Sequence, residues 1–248
     1  AGKPPAARWG LSAPPRSMTG YRTKQECVAL RGADSLQIRS LLDRNQYADP
    51  AGEAAAAGFS SATWPLFGLM WPSGLQLAAL MAARPLKAGE RILEVGCGLA
   101  VASLVCHRRG ADVTASDGHP LVPDFLMHNL MLNDLPPLPY RHGDWSFDYG
   151  IGVHDKHPVV RGRFDLIMGS DVLYERDEPG CLAAFIQRHA MPEAEVLIVD
   201  PDRGNRSRFS QCMFDQGFVL QETTLCTPAL DGTPYKGRLM HFTRPRSD

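Results

Sequence analysis

The sequence has few cysteines, and no two of them lie close together. The six positions are separated by nine residues or more: Cys27, Cys97, Cys106, Cys181, Cys212 and Cys226. A structural zinc site or a C-x-x-C redox motif needs cysteines only a few residues apart, so the spacing excludes both. His154 and His157 form one close pair of possible ligands. No further ligand cluster accompanies this pair, and we expect no metal.

Long apolar runs and a strong net charge are also absent. No uninterrupted apolar run reaches the roughly 18–20 residues that span a membrane, and no basic-then-apolar segment marks a secretory signal. We therefore expect no membrane partner and a cytoplasmic protein. The formal net charge is −1, with +5 in residues 1–89 and −6 in residues 90–248. Aromatic and basic residues do not alternate in the basic part as they do in RNA-binding sheets, so a nucleic-acid partner is not favoured.

From residue 91 onward, short apolar strands alternate with helical segments. Strands are predicted near 91–95, 112–116, 138–142, 164–169 and 195–199, and helices near 99–109, 121–132, 179–190 and 205–215. Two final β-rich runs, 218–225 and 238–243, are predicted to form a closing hairpin. Such alternation predicts an α/β fold with a doubly wound, mostly parallel sheet.

The first part of the chain does not follow this pattern. We interpret residues 1–63 as a partly irregular N-terminal extension and residues 64–248 as the main domain. Residues 1–20 are rich in Pro, Gly, Ala and Ser and are predicted to be poorly ordered. Four further elements are predicted: a strand from Gln25 to Leu30, a helix from Asp34 to Arg44, a loop or helical turn over 51–57, and a helix from Leu75 to Ala83 that Pro85 ends.

The most informative stretch is a β-α-β unit that begins at residue 91. Its first strand runs into Gly96-Cys97-Gly98, and its second strand ends at Asp117-Gly118. Glycines let backbone N–H groups and a helix N-terminus approach a ligand closely. A carboxylate at the end of the second strand is placed to bind ribose hydroxyls. The unit therefore predicts a site for an adenosine-type cofactor.

The spacing around the glycines distinguishes between cofactors. The dinucleotide fingerprint needs a third glycine where the chain has Val101, so a nicotinamide oxidoreductase is disfavoured. The pattern Glu94-x-Gly96-x-Gly98 instead resembles motif I of the class I, seven-stranded S-adenosylmethionine (SAM) methyltransferases. That family usually has a third glycine at the place of Ala100. The resemblance implies a Rossmann-like sheet of seven strands, SAM as cofactor and S-adenosylhomocysteine as product. Ala100 leaves open a domain that binds the cofactor without catalysis.

Polar and aromatic residues follow the later strands, at the edge where doubly wound sheets bind ligands. Asp144-Trp145 follows the third strand, Ser170-Asp171 the fourth, and Asp200 the fifth. Buried strands do not place carboxylates at their ends without partners. We predict that Asp144 and Trp145 frame the adenine and that Ser170 lies against the cofactor. Alternatively, Asp144 caps a turn, Trp145 packs in the core, and Asp200 only ends a strand.

The fourth strand end also carries a more specific resemblance. Asp171-Val172-Leu173-Tyr174 resembles the D-x-x-Y motif of the lysine-methyltransferase branch, and Trp71-Pro72-Ser73-Gly74 resembles a stretch that precedes motif I there. The segment Asp200-Pro201-Asp202-Arg203 is similar to bacterial relatives of the electron-transfer-flavoprotein lysine methyltransferases.

This resemblance implies transfer of a methyl group to lysine in a protein substrate. It implies catalytic roles for Asp171, which would hold the ammonium, and Tyr174, which would line the lysine channel, and it places Trp71 at the cofactor. A small amine or pyridine-like substrate remains an alternative. Another alternative is that Asp171 caps the following helix and Tyr174 packs in the core. The oligomeric state and the target do not follow from the sequence.

Overall fold

A computed structural model describes residues 20–143, 145, 157–177, 179–202, 204–228, 230 and 232–244. The prediction that residues 1–20 are poorly ordered therefore concerns residues outside the described ones, apart from Gly20. Asp144 and His154 lie outside them as well.

Strands and helices alternate along most of the chain. In order they are β1 (Thr23–Leu30), β2 (Ala33–Leu41), α1 (Glu53–Ala56), a 3-10 helix (Trp64–Gly68), α2 (Pro72–Ala83), β3 (Arg91–Val95), α3 (Val101–Arg108), β4 (Asp112–Asp117), α4 (Val122–Leu132), β5 (Tyr140–His142), β6 (Phe164–Ser170), α5 (Cys181–His189), β7 (Ala190–Asp200), α6 (Arg206–Asp215), β8 (Val219–Leu225) and β9 (Gly237–Thr243). From β3 onward the predicted boundaries agree within two residues, except that β7 begins five residues earlier.

Seven strands form one sheet in the order β5-β4-β3-β6-β7-β9-β8. The pairs from β5 to β7 are parallel, whereas β9 runs antiparallel between β7 and β8. The predicted doubly wound, mostly parallel sheet and its closing hairpin are therefore confirmed. The strand order reverses between β3 and β6, which opens a crevice at their C-terminal ends.

Alternate residues of the central strands enter two hydrophobic clusters. Leu166 and Met168 of β6 belong to the cluster that contains α2, α3 and α4, whereas Ile167 belongs to the cluster of α5 and α6. Because successive side chains of a strand point to opposite faces, the two clusters lie on the two sides of the sheet. This explains why β6 is apolar without interruption from Leu166 to Gly169.

The helix predicted from Asp34 to Arg44 is wrong, because this segment forms β2, which pairs antiparallel with β1. Burial alternates along β2, with Leu36 and Ile38 in the core. Asn129 of α4 and Asn133, the residue that follows this helix, accept hydrogen bonds of 2.8 Å from the backbone N–H groups of Arg39 and Gln37, respectively. Tertiary contacts with α4 thus outweigh the local helical signal. The hairpin shares its hydrophobic cluster with α2 and α4.

The segment before β3 covers the C-terminal end of the sheet. By length and composition alone, Trp64–Ala83 is long and apolar enough to cross a membrane. The structure divides it into the 3-10 helix and α2, with extended backbone at Leu69 and Trp71. Leu77 and Met81 of α2 are buried in the core. Pro72 occupies the first turn of α2, where a missing N–H group costs nothing, so the helix begins three residues before the predicted start.

Candidate functional site

A cavity of about 1020 Å³ lies at the C-terminal ends of β3, β4 and β6. This volume is at the upper end of the range for small-molecule sites. All of the described residues to which the sequence assigns a role line it: Trp71, Glu94, Gly96, Cys97, Gly98, Asp117, Gly118, Trp145, Ser170, Asp171 and Tyr174. The structure therefore brings residues from five separate segments to one place.

The loop after β3 packs too closely for side chains at its glycines. Gly96 and Gly98 have φ of 57° and 50°, in the left-handed region. A Cβ atom on Gly98 would lie 2.9 Å from the carbonyl oxygen of Phe67, and one on Gly96 would lie 2.8 Å from Cγ1 of Val172. The loop thus offers bare backbone to the cavity, as a ligand cradle requires.

Ala100 shares this left-handed conformation, with φ 56° and ψ 34°, at the residue that precedes α3. Few residues other than glycine adopt it, because the Cβ atom crowds the following carbonyl oxygen. Ala100 is fully buried, so the packing around it holds the strained conformation.

Asp117 connects the end of β4 to the glycine loop. Its Oδ2 accepts a hydrogen bond of 2.9 Å from the N–H of Gly98, and its Oδ1 accepts one of 2.8 Å from the N–H of His119. Burial raises the pKa of this carboxyl, although the backbone N–H groups oppose the shift. A carboxylate has about four acceptor sites, so Asp117 retains capacity for ribose hydroxyls.

Glu94 anchors the start of α3 from beneath the loop. Its Oε2 accepts hydrogen bonds from the N–H of Ser103 at 2.8 Å and from the Ser103 hydroxyl at 2.5 Å. Burial raises the pKa of Glu94 to about 7, and Asp117 adds to the shift. These contacts position α3, and Glu94 also lines the cavity, so its predicted contact with the cofactor stays a prediction.

Other parts of the wall are fixed by local contacts. Burial raises the pKa of the Cys97 thiol, which keeps it protonated and makes it an apolar lining group. Nε1 of Trp71 donates to the carbonyl of Leu66 at 2.9 Å. A Cβ atom on Gly74 would lie 3.5 Å from Oγ of Ser170, so α2 begins directly above the end of β6.

Asp171 follows β6 in a left-handed conformation, with φ 55°, and only 8% of its surface is exposed. Asp177, and not Asp171, caps α5, since its carboxylate accepts hydrogen bonds from the N–H groups of Cys181 at 2.7 Å and Leu182 at 2.8 Å. The alternative that Asp171 caps this helix is therefore wrong.

Tyr174 lies on the rim of the cavity with 40% of its surface exposed, which is incompatible with core packing. Partial burial, together with the charge of Asp117, raises the pKa of its phenol to about 12. The hydroxyl group therefore stays protonated at neutral pH. It can donate a hydrogen bond but is a poor base.

A second cavity of about 730 Å³ adjoins the first. The two share Trp145, Val172, Tyr174, Glu175 and Cys181 in their walls. The second one extends between the segment after β6 and the start of α6. Tyr174 thus stands where the two spaces meet.

Sequence reasoning missed several lining residues. Arg44 and Phe59 come from the segment assigned to the N-terminal extension. Phe67 comes from the 3-10 helix, His119 from the turn after β4 and His142 from the end of β5, and none of these places carries a recognised motif. Phe67 stacks on His119, with ring centroids 3.9 Å apart. Only the dense aromatic composition around Trp64–Trp71 hinted at this contribution. Within the described ranges, no group of three or more His, Cys, Asp or Glu is arranged to hold a metal ion.

Lysine methyltransferases are among the proteins whose sequences are similar to this chain. The electron transfer flavoprotein beta subunit lysine methyltransferase of Xenopus laevis is 28% identical over 58% of this chain and 55% of its own length. The calmodulin-lysine N-methyltransferase of Arabidopsis thaliana is 28% identical over 54% of this chain and 45% of its own length. The chain thus spans about half the length of these curated relatives.

The fold also matches a solved structure, the magnesium protoporphyrin IX methyltransferase of Synechocystis PCC 6803 with bound SAM. The TM-score is 0.52 at 17% identity, over 70% of this chain and 78% of that one. A family model described as a methyltransferase domain matches residues 73–230. This match covers more than half of the chain and includes the glycine loop, Asp117 and Asp171. The chain therefore belongs to this methyltransferase-domain family, whose cofactor is SAM.

Proposed function

We propose that the protein is a SAM-dependent N-methyltransferase that acts on lysine in a protein substrate. The observation that carries the proposal is the position of Asp171 and Tyr174. Both line the same cavity as the glycine loop, and both follow the central strand β6. The lysine methyltransferases among the similar proteins support this choice of substrate.

The residues present fit the cofactor. The crowded, side-chain-free backbone at Gly96 and Gly98 would cradle it, and Asp117 would accept hydrogen bonds from its ribose. Trp71 and Ser170 would enclose its methionine end, where α2 approaches β6. When bound, SAM supplies a methyl group on a positively charged sulfur. The chain must exclude water and hold the acceptor nitrogen in line with that methyl group.

Asp171 would orient the acceptor lysine. A free lysine has a pKa near 10.4, so about 0.1% or less is neutral at pH 7. The Asp171 carboxylate would first hold the ammonium group, which must then lose a proton to water before its nitrogen can attack. Tyr174 would contact the cation through its ring face or donate through its hydroxyl group. The adjoining cavity offers space for the polypeptide that carries the lysine.

The direct test is methyl transfer from labelled SAM into a lysate, with the Asp171→Asn variant as a matched control. We expect label in protein that protease releases and nuclease does not, and amino-acid analysis should recover it as methyl-lysine. The variant should transfer far less. Label confined to small molecules, nucleic acid or another amino acid would contradict the proposed substrate while leaving the cofactor assignment intact.

A further inference from the structure

His119 is a buried residue on the cavity wall to which the proposed reaction assigns no role. It lies two residues after Asp117, in the turn between β4 and α4, and 1% of its surface is exposed. Its ring stacks on Phe67 with 18° between the planes. The edge of Phe59 meets it at a centroid distance of 4.7 Å.

The hydrogen bonds around His119 determine which ring nitrogen carries the proton. The N–H of Leu121 donates to Nδ1 at 3.2 Å, so Nδ1 is an acceptor and the proton of the neutral ring is on Nε2. Burial lowers the pKa of this imidazole to about 3, so the ring is neutral at physiological pH. Nε2 is therefore a neutral N–H donor.

This donor has no acceptor within the part of the chain that the structure describes. The aromatic rings of Phe59, Trp64 and Phe67, which pack around the imidazole, offer no lone pair. A buried N–H group without an acceptor destabilises a folded protein, so such groups in native structures need an explanation. A ligand acceptor in the cavity that His119 lines would provide one.

The location of His119 indicates which part of the ligand it meets. Its own N–H donates to Oδ1 of Asp117, the carboxylate proposed to bind the ribose. Gly118 stands between them, and a Cβ atom there would lie 3.8 Å from the ring of Phe59. With Asp117 at the ribose, as proposed, His119 and Phe59 belong to the adenosine end of the cavity.

We propose that Nε2–H of His119 donates a hydrogen bond to a neutral acceptor on the adenosine half of the cofactor, either a ribose oxygen or a purine ring nitrogen. This inference rests on the proposed cofactor site. It makes His119 a cofactor-binding residue that distinguishes adenosine from groups that lack the acceptor. A neutral imidazole is a suitable donor to a neutral acceptor. It also adds no positive charge near the cationic sulfur of SAM.

The first test compares His119→Phe with the wild-type protein. Phenylalanine keeps a flat ring to stack on Phe67 but removes the N–H group. We expect the melting temperature without ligand to stay the same or fall slightly, because the N–H group of Leu121 loses its acceptor Nδ1, while the dissociation constant for S-adenosylhomocysteine increases roughly tenfold by calorimetry. His128→Phe, which changes a histidine of α4 that does not line the cavity, should leave the affinity unchanged.

Ligand analogues provide a second measurement that does not depend on the fold of the variant. S-adenosylhomocysteine analogues that lack the 2′-hydroxyl, the 3′-hydroxyl, N3 or N7 remove one acceptor each. In the wild type, the analogue that lacks the acceptor of His119 should bind more weakly than its parent, and in His119→Phe that same change should cost less, whereas the cost of removing a hydroxyl group that only Asp117 contacts should be the same in both proteins.

The outcomes separate this inference from the proposed function. If the wild-type protein binds neither SAM nor S-adenosylhomocysteine, the cofactor proposal fails and this inference fails with it. If the wild type binds but His119→Phe binds equally well, only the role of His119 is overturned. The role of His119 is also overturned if His119→Phe weakens the binding of the parent compound and of every analogue by the same factor. In that case no acceptor on the ligand pairs with Nε2–H, and a trapped water molecule satisfies this donor instead.

Discussion

Oδ2 of Asp117 accepts a hydrogen bond of 2.9 Å from the backbone N–H of Gly98. The carboxylate ends β4, and the glycine lies in the loop after β3, which is the neighbouring strand. The proposed ribose contact and the glycine cradle are therefore one hydrogen-bonded unit, and the cofactor would bind to both parts together.

Replacing Asp117 by alanine should weaken SAM binding by about 1.5–3 kcal/mol, the range for hydrogen bonds to a charged group. The melting temperature should also fall, because the N–H groups of Gly98 and His119 lose their acceptor. Calorimetry with SAM measures the affinity. Asp112→Ala is a suitable control, since this exposed carboxylate lies at the opposite end of the same strand. Unchanged affinity in Asp117→Ala would reject the ribose role.

Asp171→Asn should lower methyl transfer by orders of magnitude while SAM affinity and the melting temperature stay near those of the wild type. Asparagine also tolerates the left-handed backbone at this position, so the substitution removes charge without adding strain. Tyr174→Phe should show a milder loss. Turnover assays on the substrate from the lysate screen, together with calorimetry, separate the two quantities. Full turnover in Asp171→Asn would eliminate its catalytic role.

Ala100→Gly should leave the free energy of unfolding unchanged or raise it by up to about 1.6 kcal/mol. Glycine relieves the left-handed strain of about 1–2 kcal/mol, but it also gives the unfolded chain more freedom, which offsets roughly 0.4–1 kcal/mol. Urea denaturation measures the difference. A loss of more than about 1 kcal/mol would show that the methyl group of Ala100 contributes packing that outweighs its strain.

Glu94 should make the folded protein less stable as the pH rises from about 4.5 to about 7. The unfolded chain releases this proton near pH 4.5, whereas the folded protein holds it until about pH 7. The folded state therefore binds more protons in this window, and the free energy of unfolding falls with increasing pH, by roughly 3 kcal/mol in total.

Glu94→Gln should flatten this part of the pH profile, because the amide does not titrate. Its carbonyl oxygen can still accept from Ser103, so the contact with α3 is retained. Urea unfolding at pH 5, 6, 7 and 8 gives the two profiles. Parallel curves for the variant and the wild type would assign the pH dependence to other groups.

The elements from β3 onward were predictable because each depends on a local pattern. The central strands β3 and β7 contain short apolar runs, and turn residues separate them from the helical segments, so these elements can be recognised without knowledge of their neighbours. The segment from Asp34 to Arg44 was mistaken for a helix because its alternating burial arises only when β2 packs on α4. Asn129 and Asn133, about ninety residues later, satisfy its backbone N–H groups.

The same division applies to the site. The sequence alone was enough to predict that Gly96, Asp117 and Asp171 share one site, because each follows or ends a strand and the carboxyl ends of parallel strands meet at one edge of the sheet. Only the tertiary structure placed Phe59 and Phe67 around His119 and assigned the cap of α5 to Asp177. These contacts join side chains from segments that carry no shared motif. Their position depends on how the chain before β3 folds over the end of the sheet.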